Sequence, residues 1–492
     1  MILLPDASAS GIFSGFPSCT FLRKVYNRAK DFEKGKAIPL KTRSQSMLTG
    51  PLFGNIVLYT IPIILTSVLQ LLFNAADLVV VGRFCGSVSV AAVGSTTAIT
   101  NLLVNFFVGL SVGAGVTVAH GLGSRRDSIV HNTVHTALPM ALISGIFLTV
   151  VGVCLSKTFL SWMGTPENVL ELAAVYMKIY FGGITFTMVY NFCAAILRAA
   201  GDTKSPLIFL TFAGIVNVVL NLVFVTVLHM NVAGVALATT ISQAISAVLV
   251  VIALMRRTDA CRLFLRKMRF HKVQLLKILR IGLPAGTQSA LFSISNVLIQ
   301  SSVNSFGDIF MSGNAAAGNI EGFVYASLNA FHQTAVNFIG QNAGARQYKR
   351  VHKTIVYCLL CACVTGLVLG GLAYGFGPQL LSLYITDSQE AIGYGMLRLG
   401  IVGLTYLLCG LMDVTTGALR GLGESFIPML ISVLGVCGIR IGWIYTIFQC
   451  PAFHTPQCLY ISYPVSWTVT FLFQLAAFLH VYKRHIREHA IS

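Results

Sequence analysis

The sequence predicts an all-α membrane protein whose twelve transmembrane helices form two pseudo-symmetric six-helix bundles. Three observations carry that expectation. Of 492 residues, 55% are hydrophobic and only 10% are charged, whereas soluble domains carry about 25% charged residues. The apolar residues gather into blocks of about 20–25, the length that crosses a hydrocarbon core of roughly 30 Å. The second half of the chain also repeats motifs of the first at a near-constant spacing.

In chain order the blocks fall at 56–80, 95–119, 134–156, 173–196, 206–229, 233–255, 278–300, 313–339, 354–376, 394–416, 427–449 and 460–482. They imply a polar, basic N-terminal tail over 1–54, an N-terminal bundle over 55–257, a basic linker over 258–277, a C-terminal bundle over 278–482 and a tail over 483–492. The first 46 residues hold no continuous apolar run of the kind a cleaved signal peptide needs. "MLTGPLFGNIVLYTIP", from Met47, reads as the start of the first helix.

An even number of crossings puts both termini on one side. The net charge of +18 would suit nucleic acid, but its placement suits a bilayer better. With the termini cytoplasmic, the inward segments hold 29 of the 34 Lys and Arg, including nine in Arg256–Arg280 and four in "GARQYKRVHK" (Gly344–Lys353). That asymmetry is the positive-inside pattern, and it predicts a multi-pass plasma-membrane (bacterial inner-membrane) protein bound to lipid and to no nucleic acid. The cysteines fall mostly inside apolar blocks. "CLLCAC" (Cys358–Cys363) has no His or acidic neighbour and reads as helix packing, not metal binding. Cys450 and Cys458 share one outward loop, where a disulfide is possible.

The repeat organises the rest. "LRAAGDTKSP" (Leu197–Pro206) matches "LRGLGESFIP" (Leu419–Pro428) at an offset of 222, and Pro62 matches Pro284 at the same offset. "RRDSIVHNTV" (Arg125–Val134) matches "RQYKRVHKTI" (Arg346–Ile355) at 221. Six crossings return a chain to its starting side, so the halves are parallel copies. Secondary transporters are commonly built this way, with one bundle rocking against the other. Pro62 and Pro284 remove helix hydrogen bonds and allow bending.

Few ionisable residues lie within the blocks. They are Asp77, Glu321, Asp413 and Arg440, with Arg398 and Lys178 nearer helix ends. Such residues are functional hypotheses by default, because charge within hydrocarbon is costly. Asp413 has a structural alternative as the partner of Arg440 or Arg398. Asp77 has no such cation in the membrane interior of its own half, Arg83 being placed at the outer mouth. Asn217 and Asn221 are four apart and share a helix face, and Asn191, Tyr176 and Thr239 lie in neighbouring blocks. A carboxylate among amides and hydroxyls suits a small hard cation or a proton, while interhelical hydrogen bonding is the plain alternative. No P-loop, strand-borne GxGxxG, HExxH or nucleophile motif is present, so the chain reads as no enzyme and energy would come from an ion gradient.

From Met47 to about Lys483 the sequence resembles the multidrug and toxic compound extrusion (MATE) transporters, of the prokaryotic DinF-like branch. The residues that carry this are "MLTGPLFGNIVLYTIPIILTSVLQLLFNAADLVVVGRFCGSVSVAAVGS", "ILRAAGDTKSP", "ALRGLGESFIP" and "FIGQNAGAR". The resemblance implies a monomeric, cation-coupled antiporter with no cofactor beyond its coupling ion, a proton or sodium. It would export small organic, often cationic and amphipathic compounds. It also implies that Asp77 is the coupling residue, with Tyr176, Asn191, Asn217, Asn221 and Thr239 around it. Asn221 stands where some members carry a second aspartate, and the seventh block lacks the acid that some sodium-coupled members place there. Glu321, Asp413 and Arg440 are then candidates for the substrate cavity. Two rival readings remain: a flippase for lipid-linked oligosaccharide or lipid, which would line its cavity with cations for pyrophosphate, and a non-transporting membrane receptor or scaffold, which needs neither a duplication nor buried carboxylates.

Overall fold

The computed structural model describes residues 46–386 and 388–490, and the tail before Ser46 lies outside the described residues. Among the described residues the chain is helical with no strand. The first six rods are α1 (Leu52–Phe84), α2 (Ser87–Gly123), α3 (Asp127–Trp162), α4 (Glu167–Gly182 with Ile184–Ala199), α5 (Lys204–Val227) and α6 (Asn231–Met255). The second six are α7 (Lys272–Asn304), α8 (Asp308–Gly344), α9 (Tyr348–Gly375), α10 (Gln389–Gly421), α11 (Phe426–Gln449) and α12 (Pro456–Ala490).

Nine of these helices are long and apolar enough to cross a membrane, or ten when the two parts of α4, bent by 45°, count as one. The exceptions are α7 and α8, which match the others in length at 33 and 37 residues but not in apolarity. The reason lies in what they pack against. Buried polar side chains of α8 include Asn314, Glu321, His332, Asn337, Gln341 and Asn342, and α7 buries Gln274 and Gln288. Helices at the centre of a membrane protein face protein and water-lined space, whereas peripheral ones turn apolar groups to lipid, as Ile143, Phe147 and Val150 of α3 and Leu360, Leu367 and Val368 of α9 do here.

The sequence repeat is also a backbone repeat. Arg125 and Arg346 both take positive φ, 54° and 58°, at the turns after α2 and α8. Gly86 and Gly307, before α2 and α8, have φ of 85° and 89°, and Gly201 and Gly423, after α4 and α10, have 87° and 94°. Residues other than glycine rarely adopt this region, so its recurrence at offsets of 221 and 222 marks two copies of one design. Pro62 and Pro284 lie inside α1 and α7, which continue as helix on either side. Three rods widen locally into π-helix, at Val223–Val227, Leu399–Gly403 and Val433–Gly438.

The halves join along α2 with α7 and α1 with α8. A Cβ on Gly109 would stand 2.3 Å from Gly286 N, and one on Gly113 would stand 2.2 Å from Ile278 O. Only glycine permits such backbone approach, the usual device of membrane helix packing. The repeat image of Gly113 with Gly282 is Thr334 with Thr60, whose hydroxyls are 2.8 Å apart. The basic linker then lies against α3, where Phe264 N donates to His135 Nε2 at 3.0 Å and His271 N donates to Thr136 Oγ1 at 3.2 Å. Cys450 and Cys458 are free thiols, one exposed and one buried, so the outward-loop disulfide is not formed.

The seam predicts its own sensitivity. Gly109→Ala places a methyl into the α7 backbone and is expected to destabilise the protein by about 1–3 kcal/mol. Thermal unfolding in detergent measures it, with Gly94→Ala, where nothing lies within 4 Å of the added carbon, as the control that stays unchanged on that clash term.

Candidate functional site

Asp77 lies near the end of α1 away from the basic linker, half-buried, facing α5 and α6. Asn221 Nδ2 donates to its Oδ1 at 2.5 Å, and Thr239 Oγ1 donates to its Oδ2 at 3.1 Å. Asn217 Nδ2 reaches Thr239 Oγ1 at 3.3 Å, and Asn221 Nδ2 also approaches Asn217 Oδ1 at 3.3 Å. Local sequence explains the placement. The four-residue spacing of Asn217 and Asn221 puts both on one face of α5, and the π-helical widening begins two residues after Asn221. Single π turns inside α-helices often accompany functional positions.

One atom in this cluster is left over. Asn221 is fully buried, and its Oδ1 has no hydrogen-bond partner. Unsatisfied buried acceptors are rare and call for an explanation. The neighbouring Asp77 carboxylate, Asn217 Oδ1 and Thr239 Oγ1 are also oxygens, the donor type that hard cations prefer. Tyr176 stacks on Tyr180 with ring centroids 6.3 Å apart and packs against the cluster of Val80, Val81, Val225, Val232 and Val235. The sixth residue expected here, Asn191, is elsewhere. Its Nδ2 donates to Thr187 O at 2.9 Å, and its side chain lines the cavity between the lobes.

That cavity has a volume of about 440 Å³. Its walls include Ser67 and Gln70 of α1, Asn105 of α2, Tyr190 and Arg198 of α4, Ser289 of α7, Asn329, His332, Gln333 and Asn337 of α8, and Arg420 of α10. No carboxylate is among them. Arg198 and Arg420 are the repeat-related arginines of the two "LR" motifs, at 222 residues' separation. Arg198 forms no ion pair among the described residues. Arg420 is buried, donates from Nη2 to Gln288 Oε1 at 2.8 Å and from Nη1 to His332 Nε2 at 3.4 Å, and keeps Nε unpartnered. His332 Nδ1 donates in turn to the Asp413 carbonyl at 2.7 Å. The hydroxyl of Tyr190 is buried and unpartnered as well.

None of the three residues expected in the substrate cavity is among those that line this one. Glu321 is 2% exposed and forms a two-pronged ion pair with Arg398, from Nε to Oε1 at 3.0 Å and from Nη2 to Oε2 at 2.7 Å. Arg398 Nη1 also donates to Asn314 Oδ1, which accepts from the Tyr460 hydroxyl too. Asp413 forms no ion pair among the described residues, its carbonyl accepts from His332 Nδ1, and its Oδ2 is unpartnered. Arg440 donates from Nε to Ser466 Oγ at 2.9 Å and lies over Tyr463 at 4.1 Å and Trp467 at 5.3 Å. These charges are internal to the second bundle because neighbouring helices supply the partners that lipid cannot. Sequence reasoning passed over the residues that do line the cavity, although two signals were present. Asn329, Gln333 and Asn337 recur at every fourth position of α8, and Arg198 and Arg420 are the matched arginines of the repeat.

Comparison with known proteins agrees with this architecture. The MatE family model matches the chain twice, over residues 62–223 and 284–446. The chain is 26% identical over 453 residues to the probable multidrug resistance protein YoeA of Bacillus subtilis, covering 91% of this chain and 97% of that one. It is 28% identical over 393 residues to the probable multidrug resistance protein YpnP of the same organism, covering 80% and 87%. A crystal structure of MATE in the bent conformation superposes with a TM-score of 0.83 at 22% identity, covering 90% of this chain and 99% of that one.

The Glu321–Arg398 pair is testable as structure. Glu321→Gln leaves a buried guanidinium without its counter-ion and is expected to cost about 3–5 kcal/mol, whereas the double replacement Glu321→Gln with Arg398→Met recovers most of that loss. Thermal unfolding of the three proteins in one detergent checks the order.

Proposed function

The chain belongs to the MatE family, and from that premise we propose that it is a secondary antiporter that exports small amphipathic organic compounds in exchange for a proton or a sodium ion. The observation that carries the coupling is Asp77 bonded by Asn221 and Thr239 beside the unpartnered Asn221 oxygen. In the sodium form the ion would be held by Asp77, Asn221, Asn217 and Thr239. In the proton form the Asp77 carboxylate itself would take the proton. Either occupant neutralises Asp77 and alters its bonds to α5 and α6. It therefore biases the first bundle between two shapes, and a ligand shifts an equilibrium only through such a difference in affinity. The basic faces of the helices and the linker would be cytoplasmic by the positive-inside pattern, in the plasma membrane, with the substrate taken from the cavity between the lobes.

The relatives named as multidrug resistance proteins support export of drug-like compounds. The cavity adds a qualification about charge. A cationic substrate would find no carboxylate on its walls, while an acidic or strongly polar group would find Arg198, Arg420 and Tyr190. The same arginines favour a second reading, a flippase for an anionic lipid-linked headgroup, over a receptor or scaffold.

Two measurements separate these. In proteoliposomes, Asp77→Asn is expected to fold normally and to abolish substrate movement driven by a proton or sodium gradient; gradient-driven efflux that survives the substitution would sink the coupling assignment. Arg198→Gln with Arg420→Gln is expected to raise KM for an anionic dye by about tenfold or more, the scale of a lost hydrogen bond to a charged group, and to affect a neutral dye far less. Stimulation by a pyrophosphate-linked lipid in place of any dye would transfer the assignment to the flippase.

A further inference from the structure

The lobes meet through a pair of contacts that ion coupling and substrate binding do not use. At the end of α2, His120 Nε2 donates across to the carbonyl of Gly421 in α10 at 2.7 Å. At the end of α8, Gln341 Nε2 donates across to the carbonyl of Ala199 in α4, also at 2.7 Å. His120 and Gln341 are 221 residues apart, and Ala199 and Gly421 are 222 apart. The two bonds are thus repeat images of each other. Each ties one bundle to the opposite bundle's "LR" turn.

The backbones beneath them are pressed together in the same reciprocal way. A Cβ on Gly123 would stand 2.0 Å from Gln341 O, and one on Gly344 would stand 2.5 Å from His120 O. Gly123 and Gly344 are again 221 apart. Among the described residues the other hydrogen bonds between the two bundles are Thr60 with Thr334 and, just before α1, Asn342 Nδ2 and Arg350 Nη2 to Met47 O and Arg350 Nη1 to Gly50 O, each at 3.2 Å. The bundles are therefore fastened at the basic face, and the cavity lies beyond the fastening.

Resting on the antiporter reading, we propose that His120 and Gln341 are paired positioning residues that latch the basic face shut, and that opening toward that face breaks both bonds together. The chemistry suits a reversible latch. Ala199 and Gly421 lie in the last turns of α4 and α10, where carbonyls have no partner within the helix. When the lobes part, each carbonyl and each donor can turn to water, so a bond is exchanged and not simply lost. The net strength of such a bond is modest, which keeps two states within reach of a bound ion or substrate. An apolar seal of the same area would have to expose its surface on opening and would hold the closed state harder.

Spin labels at Ser128 and Lys349, both exposed and on opposite lobes near the basic face, report the opening directly when the accessible native cysteines are replaced by serine. Distances are read in nanodiscs without substrate or ion gradient, so they do not depend on transport. His120→Ala with Gln341→Ala is expected to enrich the long-distance population, by about two- to tenfold for each bond removed. His120→Gln, which copies the donor of the other half, is expected to restore the short-distance population. If the double variant does not yield folded protein, His120→Ala and Gln341→Ala are read singly, each with half the effect on a logarithmic scale. Distance distributions that match the parent in every alanine variant overturn the latch. A shift in populations with no dye movement in proteoliposomes leaves the latch standing and overturns the antiporter reading instead.

Discussion

The arrangement of this protein depends on one close approach, the glycine seam between α2 and α7. Gly109 against Gly286 and Gly113 against the Ile278 carbonyl set the separation of two helices from different bundles at backbone contact. Everything between the lobes follows from that separation. It brings Asn105 of α2 and Ser289 of α7 onto one cavity wall, and it delivers the far end of α2 to the α10 carbonyl that His120 meets. Its repeat image, Thr60 with Thr334, is a hydroxyl contact and not a glycine contact. The pseudo-symmetric joint is thus tight on one side and hydrogen-bonded on the other. The closer seam suits the role of pivot, because packing between backbones can slide with little change in buried polar groups.

Where polar side chains are placed follows from the solvent. A group in hydrocarbon must be satisfied by the protein itself, and the two bundles meet that demand differently. The second bundle pairs Glu321 with Arg398 and closes the set with Asn314 and Tyr460. It shields Arg440 with aromatic faces and a serine, while Arg440 Nη2, Arg420 Nε and Asp413 Oδ2 stay without a hydrogen-bond partner, so only the Glu321 set is complete. The first bundle surrounds a single carboxylate with neutral donors and leaves one amide oxygen unsatisfied. A completed network holds its members in place. An incomplete one, with a spare acceptor beside a carboxylate, invites a small occupant.

Much of this was legible in the sequence. Helical blocks, the duplication and the shared face of Asn217 and Asn221 were readable because spacing along a helix fixes which side chains lie together, and because the repeat motifs keep their own turns; the grouping of those asparagines with Asp77 and Thr239, which stand on other helices, followed from the family resemblance. Asn191 was misplaced for a related reason. Periodicity assigns a residue to a face, but which neighbour that face meets depends on how whole helices are packed. The same limit put Glu321, Asp413 and Arg440 in the cavity. Charge inside a membrane signals that a partner exists, without saying whether that partner is a ligand or another side chain. The basic lining was hidden differently. Arg198 and Arg420 end their helices, where cations are ordinary topology signals, and only the packing of the lobes shows that both are on the cavity wall.

The offset that relates the halves maps Asp77 onto Ile299, which is buried in an apolar cluster of the second bundle. Duplication therefore preserved the parts that a rocking mechanism needs in both lobes: the positive-φ turns, the crossing ends of α2 and α8, and the carbonyls they grip. It did not preserve the carboxylate, whose place in the second bundle is taken by an apolar side chain. On the proposed coupling that division has a physical logic. An occupant at Asp77 would act on the helices of the first bundle alone, and the second bundle, with no carboxylate at the matching position, would be the surface against which the first one moves.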